Sequence, residues 1–198
     1  MDRYYLDKLM QANREAIKLN LFASSISLRD PATDLVYITP VDMSFNKLLS
    51  EDIVVLDLDG VTIEGTRAKS MDYYLHILIY QGRPDVQAII HTTAIDSMVF
   101  AVLRLGIPLI THEQAKIIGG SIECAGYALP GTRELATNAY DALGNAKACL
   151  LANAGAICIG ASAEECLQVA SVLESTARIY RHALAIAEPF IIQPSDAH

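Results

Sequence analysis

Residues 88–97 read Ala-Ile-Ile-His-Thr-Thr-Ala-Ile-Asp-Ser. The opening residues are apolar, as in a buried strand, and His91 stands where that strand ends. A helix is expected to follow at once, from about Asp96, and to end at Gly106 and Pro108. Strand ends that lead into helices are where α/β proteins place binding and catalytic groups. His91 is therefore the first candidate for a functional residue.

A second apolar run, residues 148–160, reads ACLLANAGAICIG. Small residues at 153–155 interrupt it, which predicts a hairpin or a bent strand. Ser162 follows, with Glu165 three residues further on, and this spacing is typical of a helix capping box. We therefore expect the last helix to begin there and to run to about residue 187.

The rest of the chain interleaves strands with helices. Strands are predicted at 24–29, 35–39, 53–60 and 107–110, an extended segment at 122–129, and helices at 2–20, 70–82 and 112–118 and from Thr132 onward. The N-terminal strands are expected to pair with one another. The pattern thus predicts an α/β fold in one domain, residues 1–198, with a mixed, mainly antiparallel central sheet covered by helices on both faces.

The composition excludes several classes of partner. The chain has 198 residues, of which 52% are hydrophobic and 19% charged, and a net charge of −8. An acidic surface argues against nucleic-acid binding, and no apolar run approaches the roughly 20 residues of a bilayer span. Asp2 and Asp7 interrupt the N-terminus in a way that signal peptides do not show, so we expect a cytoplasmic protein. The four cysteines lack short paired spacing and are expected to be reduced and buried.

Short motifs follow one another along the chain in a fixed order. They are residues 81–85 (QGRPD), 88–91 (AIIH), 107–108 (IP), 112–113 (HE), 127–135 (YALPGTREL) and 150–155 (LLANAG). In this order and at these spacings the chain resembles the class II aldolase/adducin family, most closely its fuculose-phosphate aldolase branch. The resemblance extends over nearly the whole chain. It implies the fold of that family and a fourfold ring, so we expect a homotetramer.

In that family three histidines hold a zinc-like cation, two on the central strand as His-x-His and a third in an Asn-His-Gly-like turn. Mapped onto this sequence, His91 keeps the first position as a metal ligand. The second falls on Thr93 and the third on Ala154. A zinc ion needs several nitrogen, sulfur or carboxylate donors, and one imidazole with a hydroxyl and a methyl group does not supply them. We therefore expect a degenerate metal site and no cofactor.

The resemblance also places acid/base groups. The family's catalytic glutamate corresponds to Asp72, which either moves a proton or is simply a charge at the start of a helix. His112 and Glu113 occupy the stretch where the aldolase branch carries a tyrosine that reaches into a neighbouring subunit's cleft. Across such an interface Glu113 could join Asp72 and His91 in a substitute metal site or an acid/base pair. Otherwise Glu113 and His112 cap the short helix or form a hydrogen bond at an interface.

The family's phosphate pocket is altered. Hydroxyl groups remain at the corresponding positions Ser25, Thr39 and Ser70, but the glycines that allow a backbone to approach phosphate closely are missing. Asp42 would add negative charge where a phosphate should bind. We expect a small-molecule ligand at this site that is not phosphorylated.

Two functions stay open at this point. The first is a class II aldolase-like protein that has lost metal-dependent carbon–carbon lyase activity and works by binding or assembly. The second is an active lyase, of aldolase or decarboxylase type, that uses His91, Asp72 and Glu113 on a small hydroxylated carbonyl compound. Zinc or another divalent cation is implied only in the second case. The remaining histidines, including His76 inside a helix, are interpreted as packing or surface residues.

Overall fold

The computed structural model describes residues 1–193. Its α-helices are α1 (Arg3–Lys18), α2 (Tyr73–Gly82), α3 (Ile95–Leu103), α4 (His112–Ile117), α5 (Arg133–Leu143) and α6 (Ala163–Leu184). Its strands are β1 (Ala23–Arg29), β2 (Val36–Ile38), β3 (Val54–Leu56), β4 (Thr62–Glu64), β5 (Ala88–Thr92), β6 (Cys124–Ala125), β7 (Ala148–Leu151) and β8 (Gly155–Gly160).

All eight strands form one sheet in the order β4-β3-β2-β1-β5-β8-β7-β6. Every neighbouring pair is antiparallel except β6 and β7. One face is covered by α1, α3, α4 and α6, and the other by α2 and α5. The predicted α/β fold, with a mixed, mainly antiparallel sheet between two helical layers, is confirmed.

The caps that the sequence indicated at two helices are present. The Ser162 hydroxyl accepts a hydrogen bond from Glu165 N in the first turn of α6, and the Glu165 carboxylate accepts one from Ala161 N just before the cap. At the start of α5, the Thr132 hydroxyl accepts a hydrogen bond from Leu135 N. The apolar run 148–160 forms the β7–β8 hairpin, with both strands fully buried.

Three local predictions are wrong. The strand predicted at 107–110 is a single bridge between Ile107 and Ile122, because Pro108 has no amide hydrogen with which to continue the ladder. The extended segment at 122–129 shortens to the two residues of β6. The strand predicted at 53–60 ends at Leu56, where the Asp57 carboxylate accepts two backbone amides and closes a turn into β4.

Helix α2 begins later than predicted. The Ser70 hydroxyl accepts a hydrogen bond from Asp72 N, and the helix starts only at Tyr73. Asp72 occupies the N-cap position, but its side chain makes no capping hydrogen bond to the helix. The Asp72 carboxylate turns instead toward the sheet, and this orientation determines the site described below.

None of the helices formed by residues 1–193 combines the length and apolarity that a membrane span requires.

Candidate functional site: a buried ion pair at the end of the central strand

His91 lies on the face of β5 that is turned toward α2, because side chains alternate along a strand and its neighbour Ile89 packs in the core of that face. His91 is buried, with 6% of the residue exposed. Its Nδ1 lies 2.8 Å from Asp72 Oδ2, and its Nε2 lies 2.7 Å from the carbonyl oxygen of Ala154. Both ring nitrogens are therefore occupied by protein groups.

The chemistry of the two partners fixes the protonation of this imidazole. A carbonyl oxygen and an ionised carboxylate only accept hydrogen bonds, so both nitrogens of His91 must donate. Burial disfavours the charged form, but the Asp72 carboxylate and the Ala154 carbonyl overcome it and hold the pKa of His91 above its ordinary value. Burial likewise opposes ionisation of Asp72, whereas the hydrogen bond and charge of His91 hold its pKa well below the usual range. The two residues form a buried ion pair.

A glycine brings the hairpin turn close enough to reach His91. Gly155 has φ of +107°, and a Cβ atom built on it would lie 2.2 Å from the carbonyl oxygen of Thr92. Only glycine fits such a contact in this conformation. The close approach of β8 to β5 presents the preceding carbonyl, that of Ala154, to the imidazole.

The carboxylate of Asp72 is also the end of a longer hydrogen-bonded chain. The Ser25 hydroxyl donates to Asp72 Oδ2 at 2.8 Å and lies 2.9 Å from His76 Nε2. The Ser27 hydroxyl lies 2.7 Å from His76 Nδ1 and 2.8 Å from the Tyr80 hydroxyl. Because Ser25 uses its only proton on the carboxylate, it accepts from His76 Nε2, which leaves His76 Nδ1 to accept from Ser27.

A neutral His76 fits this chain of hydrogen bonds, and its burial favours the neutral form. The His76 side chain is completely inaccessible to solvent. Desolvation outweighs the attraction of Asp72 and lowers the pKa of His76 to about 4. The site therefore contains one buried cation, His91, one buried anion, Asp72, and one buried neutral imidazole.

The sequence pattern did not identify His76, Ser27 and Tyr80 as members of the site, and the interpretation of His76 as a packing residue is incomplete. A signal was present. Positions 72, 76 and 80 recur at the spacing that puts them on one face of a helix, and Ser25 and Ser27 share one face of a strand. Polar residues in register on two otherwise apolar elements indicate a buried network.

The three hydroxyl groups predicted for ligand binding are engaged within the protein. Ser25 donates to Asp72, the Thr39 hydroxyl accepts from Ile26 N at 3.1 Å, and the Ser70 hydroxyl accepts from Asp72 N at 3.2 Å. All three side chains are buried. Their roles as ligand contacts stay predictions.

The structure does not bring Glu113 to this site within one chain. Glu113 is exposed in the first turn of α4, in the helical layer on the other face of the sheet from His91. Thr111, rather than Glu113 or His112, caps that helix through a hydrogen bond from Gln114 N. A role for Glu113 thus requires a neighbouring subunit and stays a prediction.

The residues present do not fit a zinc-like cation. Both nitrogens of His91 carry protons, so neither has a lone pair to give. The Thr93 hydroxyl donates to the carbonyl of Phe22 at 2.9 Å, and the Ala154 side chain is a methyl group. Across residues 1–193 no three histidine, cysteine or acidic side chains come together in a metal-binding arrangement.

Known proteins resemble this chain over most of its length. The family model described as "Class II Aldolase and Adducin N-terminal domain" matches residues 7–181. The chain is 35% identical over 187 residues, 94% of its length and 85% of the relative's, to an L-fuculose phosphate aldolase of Escherichia coli O6:H1. It is 37% identical over 191 residues, 95% and 85% of the two lengths, to a 5-methylthioribulose-1-phosphate/5-deoxyribulose-1-phosphate aldolase of Rhodospirillum rubrum. A solved L-fuculose 1-phosphate aldolase superposes with a TM-score of 0.95 at 30% identity, over 100% of this chain and 94% of that one.

Proposed function

The chain belongs to the class II aldolase and adducin family, and from that premise we propose that it binds a small molecule without cleaving carbon–carbon bonds by metal catalysis. The relatives above are named as aldolases of phosphorylated sugars. This chain keeps their fold, and in our proposal it does not keep their reaction. It works as a binding or assembly protein, for which we infer a homotetramer.

One observation carries the proposal. His91 donates from both ring nitrogens, to Asp72 and to the Ala154 carbonyl, and these bonds are 2.8 and 2.7 Å long. A histidine binds a metal through an unprotonated nitrogen. Ligation here would require the imidazolium to lose a proton and leave a buried carboxylate or carbonyl without its partner, which costs about 1–3 kcal/mol for each group.

The surroundings support the same conclusion. The positions that correspond to the two missing ligands offer no nitrogen donor, and the neighbouring hydroxyls of Ser25, Thr39 and Ser70 already serve internal hydrogen bonds. A phosphate group would have to displace those bonds inside a buried region. The internal ion pair thus stabilises the site in a state that needs neither metal nor phosphate.

Metal content and turnover test the proposal together. We expect freshly purified protein to contain far less than one equivalent of zinc, manganese or cobalt by mass spectrometry. We also expect no cleavage of L-fuculose 1-phosphate or 5-deoxyribulose 1-phosphate when these metals are added. A stoichiometric metal ion whose removal by a chelator abolishes turnover would overturn the proposal in favour of the lyase built on His91, Asp72 and Glu113.

A reconstructed site gives a sharper test. The double variant Thr93→His with Ala154→His supplies the two missing imidazoles, and we expect it to bind zinc, which calorimetry would measure. The matched control is Thr93→Gln with Ala154→Gln, which adds similar bulk without a metal ligand and should bind none. We expect neither variant to cleave a sugar phosphate. Rapid cleavage by the histidine pair would show that the phosphate site is intact.

A further inference from the structure

A cavity of about 550 Å³ lies beside the site, between the C-terminal end of α1, the start of β1 and the loop formed by residues 40–46. We call it the α1 cavity. Its floor is apolar and consists of Ala16, Pro40, Met43 and Phe45, which are buried or half-buried. Polar side chains, among them Asp42, form its exposed rim. An apolar floor with a few polar groups, at this volume, is the usual anatomy of a small-molecule site.

The walls of the α1 cavity contain unusual backbone. Asn20, Phe22 and Asp42 all have positive φ, of 54°, 47° and 53°. Asparagine and aspartate tolerate this left-handed conformation, but it is strained for an aromatic residue. Such strain is concentrated at ligand-binding segments, where the surrounding structure holds it in place. Of the three, only Phe22 is strained, and this strain lies in the segment that forms one wall of the α1 cavity.

Charge indicates what the α1 cavity accepts. Among residues 1–193, Asp42 is the only charged residue that lines it. Within residues 1–193 the Asp42 carboxylate takes part in no hydrogen bond or ion pair, so its charge is free to meet a ligand. A phosphate ester would be repelled there, whereas a cation would be attracted.

The α1 cavity is tied directly to the strand that carries His91. The carbonyl oxygen of Phe22, a wall residue, accepts hydrogen bonds from Thr93 N at 3.2 Å and from the Thr93 hydroxyl at 2.9 Å. A ligand in the cavity therefore lies next to the end of β5. This is the position at which α/β proteins bind their ligands.

We propose that the α1 cavity binds a small organic ammonium ion, in which an apolar body lies on the floor formed by Met43 and Phe45 and a protonated amine faces Asp42. The inference rests on the proposed binding function, whose ligand class it names. The proposed ligand is a cation, whereas the sugar phosphates in the names of the relatives are anions.

A set of phenyl-bearing probes, in which the amine and the alcohol are close isosteres, separates charge from shape. The probes are 2-phenylethylamine, 2-phenylethanol and phenyl phosphate, titrated into the full-length, chelator-treated protein at pH 7 and followed by amide chemical shifts. We expect the amine to shift signals of residues 16–24 and 40–46 and to bind at least threefold more tightly than the alcohol. Phenyl phosphate should leave these signals unchanged.

Variants assign the effect to the α1 cavity. Asp42→Asn removes the charge and keeps a residue that tolerates positive φ, and it should weaken amine binding about three- to fivefold, to the level of the alcohol. The matched control Asp59→Asn changes the net charge equally, at an exposed turn far along the chain, and should have no effect. Ser24→Trp fills the rim and should abolish binding of both the amine and the alcohol.

Several results would overturn the inference. The inference fails if the amine and the alcohol bind equally well, or if Asp42→Asn and Asp59→Asn weaken amine binding to the same extent. It also fails if phenyl phosphate binds in the α1 cavity. Finally, it fails if no probe shifts the signals of the cavity residues because a second copy of the chain covers them. Each leaves the proposed function standing, since metal content and lyase turnover are measured separately. Conversely, a catalytic metal ion would refute the function without altering these titrations.

Discussion

The buried neutral imidazole of His76 makes the stability of this protein dependent on pH in a defined window. The unfolded chain takes up a proton at this residue near its ordinary pKa of 6.5, whereas the folded protein resists protonation down to about pH 4. Between these values the unfolded state binds more protons, so stability rises with pH and falls as pH is lowered.

The size of the effect follows from the shift. Integrated from pH 7 to pH 5, the difference in proton binding at His76 lowers the free energy of unfolding by about 2 kcal/mol. The ion pair offsets part of this change. The raised pKa of His91 makes its contribution fully present below its unfolded value of 6.5 and already smaller at pH 7, so this contribution grows as the pH falls; it is the same in any variant that keeps the ion pair and cancels in a comparison with such a variant. Asp72, whose pKa is depressed, keeps its contribution until the pH falls below the range of unfolded carboxylates.

Urea unfolding at pH 7, 6 and 5 measures the effect in the protein and in His76→Gln. Glutamine keeps one hydrogen bond of the buried network but does not titrate. We expect the free energy of unfolding of His76→Gln at pH 7 to be about 1–3 kcal/mol lower than that of the parent protein. Between pH 7 and pH 5, the free energy of unfolding of the variant should decrease by about 2 kcal/mol less than that of the parent protein. The control His112→Gln alters an exposed histidine and should leave the pH dependence unchanged. If His76→Gln follows the same pH dependence as the parent protein, then His76 is not a buried neutral base.

Three further predictions concern the elements that build the site. Asp72→Asn leaves the buried imidazolium of His91 without its counter-ion, and we expect it to cost about 3 kcal/mol in urea unfolding; a loss below about 1 kcal/mol would contradict the ion pair. Gly155→Ala forces a Cβ atom against the Thr92 carbonyl at 2.2 Å, and the variant should not yield soluble folded protein; a normal melting temperature would disprove this close contact. Glu174→Ala removes a carboxylate that accepts two amides from the first turn of α3, at 2.5 and 2.9 Å. It should lower stability by about 1 kcal/mol, and an unchanged unfolding midpoint would rule out capping by this residue.

Much of the fold could be predicted because its signals are local. The alternation of apolar residues in β1, the small-residue break between β7 and β8 and the capping pattern at Ser162 are each confined to a few neighbouring positions. The segments that were not predicted correctly depend on pairing with residues in other parts of the sequence. The short strand β4 forms only because Asp57 closes a turn that returns the chain to β3. The segment at 107–110 fails as a strand because Pro108 interrupts its only pairing.

The amino-acid sequence by itself determined the family and the sheet with its two helical layers, and it predicts that two ligand positions of that family fall on Thr93 and Ala154, because these depend on residue identity and spacing. Only the tertiary structure decided what His91 does. Its protonation depends on which atoms face its two nitrogens, and those belong to Asp72, 19 positions earlier, and to a backbone carbonyl 63 positions later. Main-chain atoms carry no sequence signal, and the electrostatics of a buried group are set by neighbours that only folding brings together.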